Sequence, residues 1–293
     1  MESFNGLGVI LENRYYGKSY PYNSSTTDEL RFLTTEQTIA DNAYFAKHAT
    51  FPGVNASAGL NAPKAAWIMY GGSLAGAQTA FTMKEYNSLF AGGIGSSATT
   101  QGMLSYPYWY DPIIKYGPSD CVSRIFGIVD KIDALVKSGN KKGIQELKTL
   151  FGLGDLKDIR DFAMTIAFPI GGPMNYPTNT WQELNWDFPR HGSEDFYDFC
   201  GNVTNLETPE NITKVDYALA KYSHGEPWTG LGGYTDYVKK TLVPQCESGR
   251  IDSTDQGCFG TQNKTYYADT TNGAGRSYLY SSKLLLLRLV FNY

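Results

Sequence analysis

Along this 293-residue chain, apolar residues fall in short unbroken runs up to about residue 105 and in one-faced, spaced sets after it. The run GLGVILENRYYG (6–17) predicts a buried strand that ends in a polar, glycine-containing loop. Thr34 to Ala49 predicts a helix opened by a Thr-x-x-Gln capping pattern from Thr34 to Gln37. KAAWIMY (64–70) predicts a second buried strand, which passes through Gly71, Gly72 and Ser73 into a helix over Ala75–Tyr86. FAGGIGSSA (90–98) predicts a third short strand. Strand, helix, strand, helix, strand is an α/β alternation, which implies parallel strands joined by right-handed crossovers.

The period then changes. Val122, Ile125, Phe126, Val129, Ile132 and Val136 share one helical face, and Ile144, Leu147, Phe151, Ile159, Phe162 and Ile166 continue the pattern with no strand between. The expected organisation is a partial α/β core over 1–104, a large α-helical insertion over 105–245, and a return segment toward the core over 246–293, cut short. No internal repeat is visible, and no stretch of roughly 18 uninterrupted apolar residues that would span a bilayer.

Charge narrows the partners. With 25 basic against 29 acidic residues and no block of like charge, neither a nucleic-acid surface nor a polybasic membrane anchor is expected. Cys121, Cys200, Cys246 and Cys258 form an even set without CxxC spacing or histidine partners, which favours disulfides over zinc; no metal and no cofactor is expected. Asn23, Asn55, Asn202, Asn211 and Asn263 each open an Asn-x-Ser/Thr sequon. Both features point to the secretory pathway, extracellular, lysosomal or vacuolar, yet MESFNGLGVIL has no basic and apolar leader. Either the chain is cytosolic with idle sequons, or its natural N-terminus lies upstream; the second is the expectation.

Ser73 is the candidate nucleophile. A serine between a buried strand and a helix, flanked by small residues, matches the nucleophile elbow of α/β-hydrolases, where a tight turn forces the serine into strained geometry. The strict form is G-x-S-x-G; here Gly71-Gly72-Ser73-Leu74-Ala75 ends in alanine, followed by Gly76. The bland alternative is a glycine-rich strand-to-helix turn with a bystander serine. In an elbow, the Leu74 backbone N–H points to the reacting centre as one oxyanion donor.

Four blocks, LENRYYGKSYP, LTTEQTIADNAYF, YGGSLAGAQTAF and AGGIGSSA, resemble in order and spacing those of the prolyl carboxypeptidase and dipeptidyl-peptidase II family of serine peptidases. That family reads approximately E-H-R-Y-Y-G, L-T-x-E-Q-A-L-A-D, G-G-S-Y-x-G and A-S-S-A. The resemblance extends more weakly through CVSRIFGIVDKIDAL, FPIGG, YDFCGNVT and GRSYLY. It implies an α/β-hydrolase core interrupted by a helical cap, and a peptide substrate cleaved on the carboxyl side of proline. It also pairs Cys121 with Cys200, leaving Cys246 for Cys258, and admits a homodimer of the intact enzyme. Asn13 stands where the family has histidine, and Leu74 where it has tyrosine.

The resemblance further implies a proline pocket near the elbow. A proline ring, lacking an N–H and fixed in φ, is best gripped by an apolar and aromatic wall. Met103, Tyr108, Trp109 and Tyr110 follow the third predicted strand and are the candidates, at least one of them lining the cleft beside Ser73. Glu12 and Arg14 are expected to hold the neighbouring loop by an ion pair or hydrogen bonds. Triad order is Ser, then Asp or Glu, then His. His48 precedes Ser73, while His191 and His224 fall in the insertion, so the family's acid and histidine are expected after residue 280. Beyond GRSYLY the tail SSKLLLLRLVFNY departs from the resemblance. The competing reading is a non-catalytic hydrolase-like protein that binds peptides or partners.

Overall fold

The computed structural model describes residues 3, 5–54, 59–101, 103, 106–171, 195–244 and 258–291, with only the backbone of 283–291. The chain divides into two compact units, Met1–Tyr106 with Ala268–Tyr293, and Pro107–Tyr267.

In the first unit, α1 (Thr35–His48) starts where the capping pattern places it. Thr34 is extended, and its hydroxyl accepts the Gln37 N–H at 3.2 Å. Strands β1 (Ile68–Gly72) and β2 (Gly92–Ser96) are parallel, in register from Ile68↔Gly92 to Gly72↔Ser96, and α2 (Leu74–Glu85) forms the crossover between them. Glycine in β2 lets the helix lie on the strand: a Cβ on Gly93 would come within 2.6 Å of Met83 Cγ, and one on Gly95 within 3.0 Å of the Gly76 carbonyl.

The strand predicted over 6–12 does not form. Residues 6–13 are irregular and pair with no strand, and among the described residues the sheet has two strands. Apolar content alone makes no strand; a ladder partner must satisfy its N–H and C=O groups. Val9, Ile10 and Leu11 are exposed, Ile10 by 99 %, and so are Ile68, Tyr70 and Ile94 on the sheet. A parallel pair is normally covered on both faces.

Residues 268–281 tie down the loop that follows position 12. Ser277 Oγ donates to the Tyr15 carbonyl at 2.8 Å, Ser25 N–H to the Thr270 carbonyl at 2.7 Å, and Asn272 Nδ2 to the Tyr22 carbonyl at 2.8 Å. Tyr15, Leu30 and Leu33 are the buried heart of this layer, with Tyr16, Tyr20, Tyr22 and Tyr280 around them.

The second unit is helical: α3 (Asp111–Tyr116), α4 (Ser119–Lys137), α5 (Lys141–Leu150), α6 (Ile159–Gly171), α7 (Asp195–Val203), α8 (Glu210–Thr213), α9 (Leu231–Thr241) and α10 (Lys264–Ala268), the last ending at the boundary. Helix α11 (Ala274–Phe291) belongs to the first unit. Phe151, Phe162, Phe199 and Tyr234 form edge-on aromatic pairs in the core of the second unit. Helix α4 turns Cys121, Ile125, Ile128, Ile132 and Leu135 inward and leaves Phe126 and Val129 exposed, a rotation from the face the sequence predicts. Cys121 sets that face by its disulfide to Cys200 in α7. Cys258 is disulfide-bonded as well, and Cys246 lies outside the described residues.

Two buried carboxylates organise the unit's loops. Asp216 accepts the N–H groups of Gly230 and Gly232 at 2.9 and 2.7 Å, at the start of α9. Asp161 accepts the Thr261 N–H and hydroxyl at 2.9 and 2.7 Å.

Candidate active site

Ser73 follows the last residue of β1 and precedes the first of α2, with φ 55° and ψ −120°. A positive φ on a residue bearing a Cβ costs on the order of 1–3 kcal/mol and persists only where its surroundings enforce it. Here the enforcement is visible. The Ser73 N–H donates to the Ser96 carbonyl at 2.9 Å, and the Ser73 carbonyl accepts the Ala77 N–H at 3.1 Å. The side chain is exposed, and its hydroxyl has no hydrogen-bond partner among the described residues.

The flanking glycines have distinct reasons. A Cβ on Gly71 would lie 2.1 Å from the Ala75 carbonyl oxygen, and one on Gly76 would lie 2.8 Å from the Ser96 carbonyl oxygen and 3.1 Å from that of Gly71. Strand and helix backbones therefore touch at these two points. Gly72 has open space where its Cβ would be. Leu74, as the first residue of α2, carries an N–H with no partner inside the helix.

The 12–19 loop is held from both ends. Glu12 Oε2 accepts the Ser19 hydroxyl at 2.6 Å and the Lys18 N–H at 3.0 Å. The Ser19 hydroxyl first, and the Lys18 N–H second, keep this carboxyl below its ordinary value. Gly17, at φ 54°, sits under it: a Cβ there would fall 1.7 Å from Glu12 Oε1. Arg14 grips Asp41 of α1 through Nε and Nη2, both at 2.6 Å, and donates Nη1 to the Phe32 carbonyl at 2.9 Å. Asp41 and Ser19 are the partners that sequence reading missed; neither lies at a spacing that marks it. A cavity of about 30 Å³ lies against the first turns of α2, lined by Asn13, Tyr16, Leu74, Gln78 and Phe81 among others.

Of the aromatic candidates, Tyr108, Trp109 and Tyr110 belong to the second unit, and Met103, half-buried, to the first. Trp109 Nε1 donates to the Gly171 carbonyl at 2.9 Å. A Cβ on Gly171 would meet Trp109 Nε1 at 2.9 Å and Tyr110 Cε1 at 3.0 Å, so both rings pack on that glycine while each stays more than a third exposed. His48 packs against Tyr44 with tilted rings whose centres are 4.5 Å apart; His224 sits exposed in a turn of the second unit at φ 55°; His191 lies outside the described residues. Asn23, Asn211 and Asn263 are exposed, Asn202 is half-buried, and Asn55 lies outside the described residues. Among the described residues no group of three or more His, Cys, Asp or Glu side chains could hold a metal ion.

The family model described as Serine carboxypeptidase S28 matches residues 2–264. A probable extracellular serine carboxypeptidase of Arthroderma benhamiae is 37 % identical over 276 residues, 91 % of this chain and 37 % of that protein. Serine protease vicPa of Bipolaris victoriae is 26 % identical over 93 % of this chain and 47 % of its own length. The lysosomal Pro-X carboxypeptidase of Mus musculus is 28 % identical over 166 residues, 52 % of this chain and 31 % of that protein. The chain thus spans less than half the length of these relatives. With the family model covering nearly the whole chain, the chain belongs to the serine carboxypeptidase S28 family.

Proposed function

We propose that this chain carries the nucleophile of a serine exopeptidase that cleaves peptides after proline, with Pro107–Tyr267 as its helical cap. The observation that carries the reading is Ser73 at φ 55° between β1 and α2, its hydroxyl exposed and unengaged among the described residues. In this reading Ser73 Oγ attacks the scissile carbonyl carbon while a general base takes its proton. The carbonyl oxygen then gains negative charge, which the Leu74 N–H stabilises together with the partial positive charge at the start of α2. The supports are Gly71 and Gly76, which allow the backbone contacts, and Glu12 and Arg14, which fix the adjacent loop. Trp109 and Tyr110 enter as the aromatic surface that grips the proline ring, with Met103 beside the core segment.

A secretory destination fits the names of the relatives and the Cys121–Cys200 disulfide, a bond that persists in oxidising compartments. Among the described residues no helix is long and apolar enough to cross a membrane. The sequons at Asn23, Asn211 and Asn263 are open to glycosylation on exposure.

The test is labelling of the secreted protein with a fluorophosphonate, followed by peptide mapping. Label on Ser73, absent in Ser73→Ala, is expected; label elsewhere, or none, refutes the assignment. Trp109→Ala is expected to lower discrimination for proline over alanine at the cleaved position by about tenfold, the scale of one lost apolar contact surface. Unchanged discrimination removes Trp109 from the pocket.

A further inference from the structure

β1 and β2 end together. Their last register pair is Gly72↔Ser96, so the next residues, Ser73 and Ser97, leave adjacent strand ends side by side, about 5 Å apart at the spacing of neighbouring strands. Both are serines, and both depart from the strand with a positive φ, 55° at Ser73 and 50° at Ser97. Two consecutive strand ends that each hold a residue with a Cβ in the left-handed region are uncommon, and such strain collects where a site needs a fixed geometry.

Among the described residues nothing uses the Ser97 hydroxyl. Ser97 is exposed, and its side chain makes no hydrogen bond with any described residue. The backbone around it is closely engaged: the Ser96 carbonyl accepts the Ser73 N–H at 2.9 Å, and a Cβ on Gly76 would lie 3.2 Å from Ala98 Cα. The turn over 96–98 is therefore pinned against the first turn of α2. The pinning fixes where Ser97 presents its side chain, at the carboxyl end of a parallel sheet, which is where open α/β sheets bind ligands. Glycine would meet the backbone demand without strain. A serine here gives the turn nothing that glycine would not, except a hydroxyl.

We propose that Ser97 is a substrate-contacting residue: its hydroxyl donates a hydrogen bond to a main-chain carbonyl oxygen of the peptide bound at Ser73. The ligand class is a neutral peptide backbone segment, since a lone hydroxyl offers a donor without charge. The proposal rests on reading Ser73 as the site of peptide attack.

The test separates hydroxyl from backbone. Ser97→Gly removes strain and hydroxyl together; Ser97→Ala removes the hydroxyl and keeps the strain. Ser97→Gly is expected to raise the melting temperature by about 2 °C, and Ser97→Ala to leave it within about 1 °C. Affinity for acetyl-Ala-Pro-amide, followed by shifts of the backbone amide resonances of Leu74 and Ala98, is expected to fall about five- to tenfold in both variants, the scale of one neutral hydrogen bond. Full affinity in either variant overturns the proposal, as does a wild-type chain that does not bind the peptide. Fluorophosphonate labelling of the same variants made in the full-length secreted protein, where a general base can activate the serine, reports on Ser73 separately: wild type left unlabelled there counts against the nucleophile, whereas a labelled Ser97→Ala of wild-type peptide affinity counts against Ser97 alone.

Discussion

Gly71 and Gly72 are adjacent, both in β1, and the structure gives them opposite tolerances. A methyl group on Gly71 would sit 2.1 Å from the Ala75 carbonyl oxygen, 2.4 Å from its carbon and 2.6 Å from Thr79 Oγ1. Comfortable contact needs about 3.5 Å, so β1 and α2 must separate by about 1.4 Å or the strand must tilt. The two closest atoms are backbone, held by the β1–β2 ladder and by the helix, so no rotamer change relieves the clash. Gly71→Ala is expected to destabilise the first unit by about 3 kcal/mol, the upper end of the usual cost of overpacking. Gly72→Ala meets nothing within 4 Å, and glycine there is not at positive φ. It is expected to be neutral, or stabilising by about 0.5 kcal/mol through lower unfolded-chain entropy. A difference of about 3.5 kcal/mol corresponds to a factor of several hundred in the folding equilibrium. Urea denaturation, with amide exchange of the β1 residues to assign the loss to the first unit, measures it. Equal effects of the two substitutions, or a larger loss for Gly72→Ala, would refute the contact argument at the elbow.

The Cys121–Cys200 bond closes a loop across a separation of 79 residues, and its removal by paired alanine substitution is expected to cost about 4–5 kcal/mol on the chain-entropy estimate. An unchanged denaturation midpoint would show that the unfolded chain is not restrained by it. Asp158 accepts from Arg160, whose guanidinium, with the Arg160 N–H, pulls the carboxyl down to about 2. Because the folded value lies below the ordinary 3.8, its contribution is present above pH 3.8 and fades as pH falls toward 2; Asp158→Asn should flatten the acid limb in that window, and a limb of unchanged shape would refute this.

What the sequence disclosed is what local spacing encodes. The Thr34 cap, the run into Gly71-Gly72-Ser73 and the glycine-rich β2 are each written within a few consecutive residues, and each stands in the structure. The strand over 6–12 was read from apolar content, which cannot state whether a partner strand is at hand. Helix α4 was read from its own periodicity, which put Ile125 and Phe126 on one inward face; the structure buries Ile125 and leaves Phe126 exposed, on the side set by the bond from Cys121 to a residue 79 positions away. The loop partners were out of reach for the same reason. Arg14 meets Asp41 at a separation of 27, and Ser277 meets Tyr15 at 262, distances at which no pattern in one sequence links two polar residues.

The long-range contacts explain how the loop beside the elbow can afford its shape. Tyr15 stands at φ 63° while fully buried, an unfavourable conformation for a bulky side chain. It is held through its N–H to the Ser19 carbonyl, its carbonyl from Ser277 Oγ, and its hydroxyl to the Glu29 carbonyl. One of those three holds comes from the far end of the chain. Ser73 and Ser97 are different: their strain is enforced by neighbours in the β1–α2–β2 unit itself, through the Ser96 carbonyl and the glycine contacts. The elbow is thus a local device that a short sequence can specify. The loop facing it is a tertiary device that needs residues 268–281 in place, so substitutions at Ser277 should disturb the 12–19 loop before they disturb the conformation of Ser73.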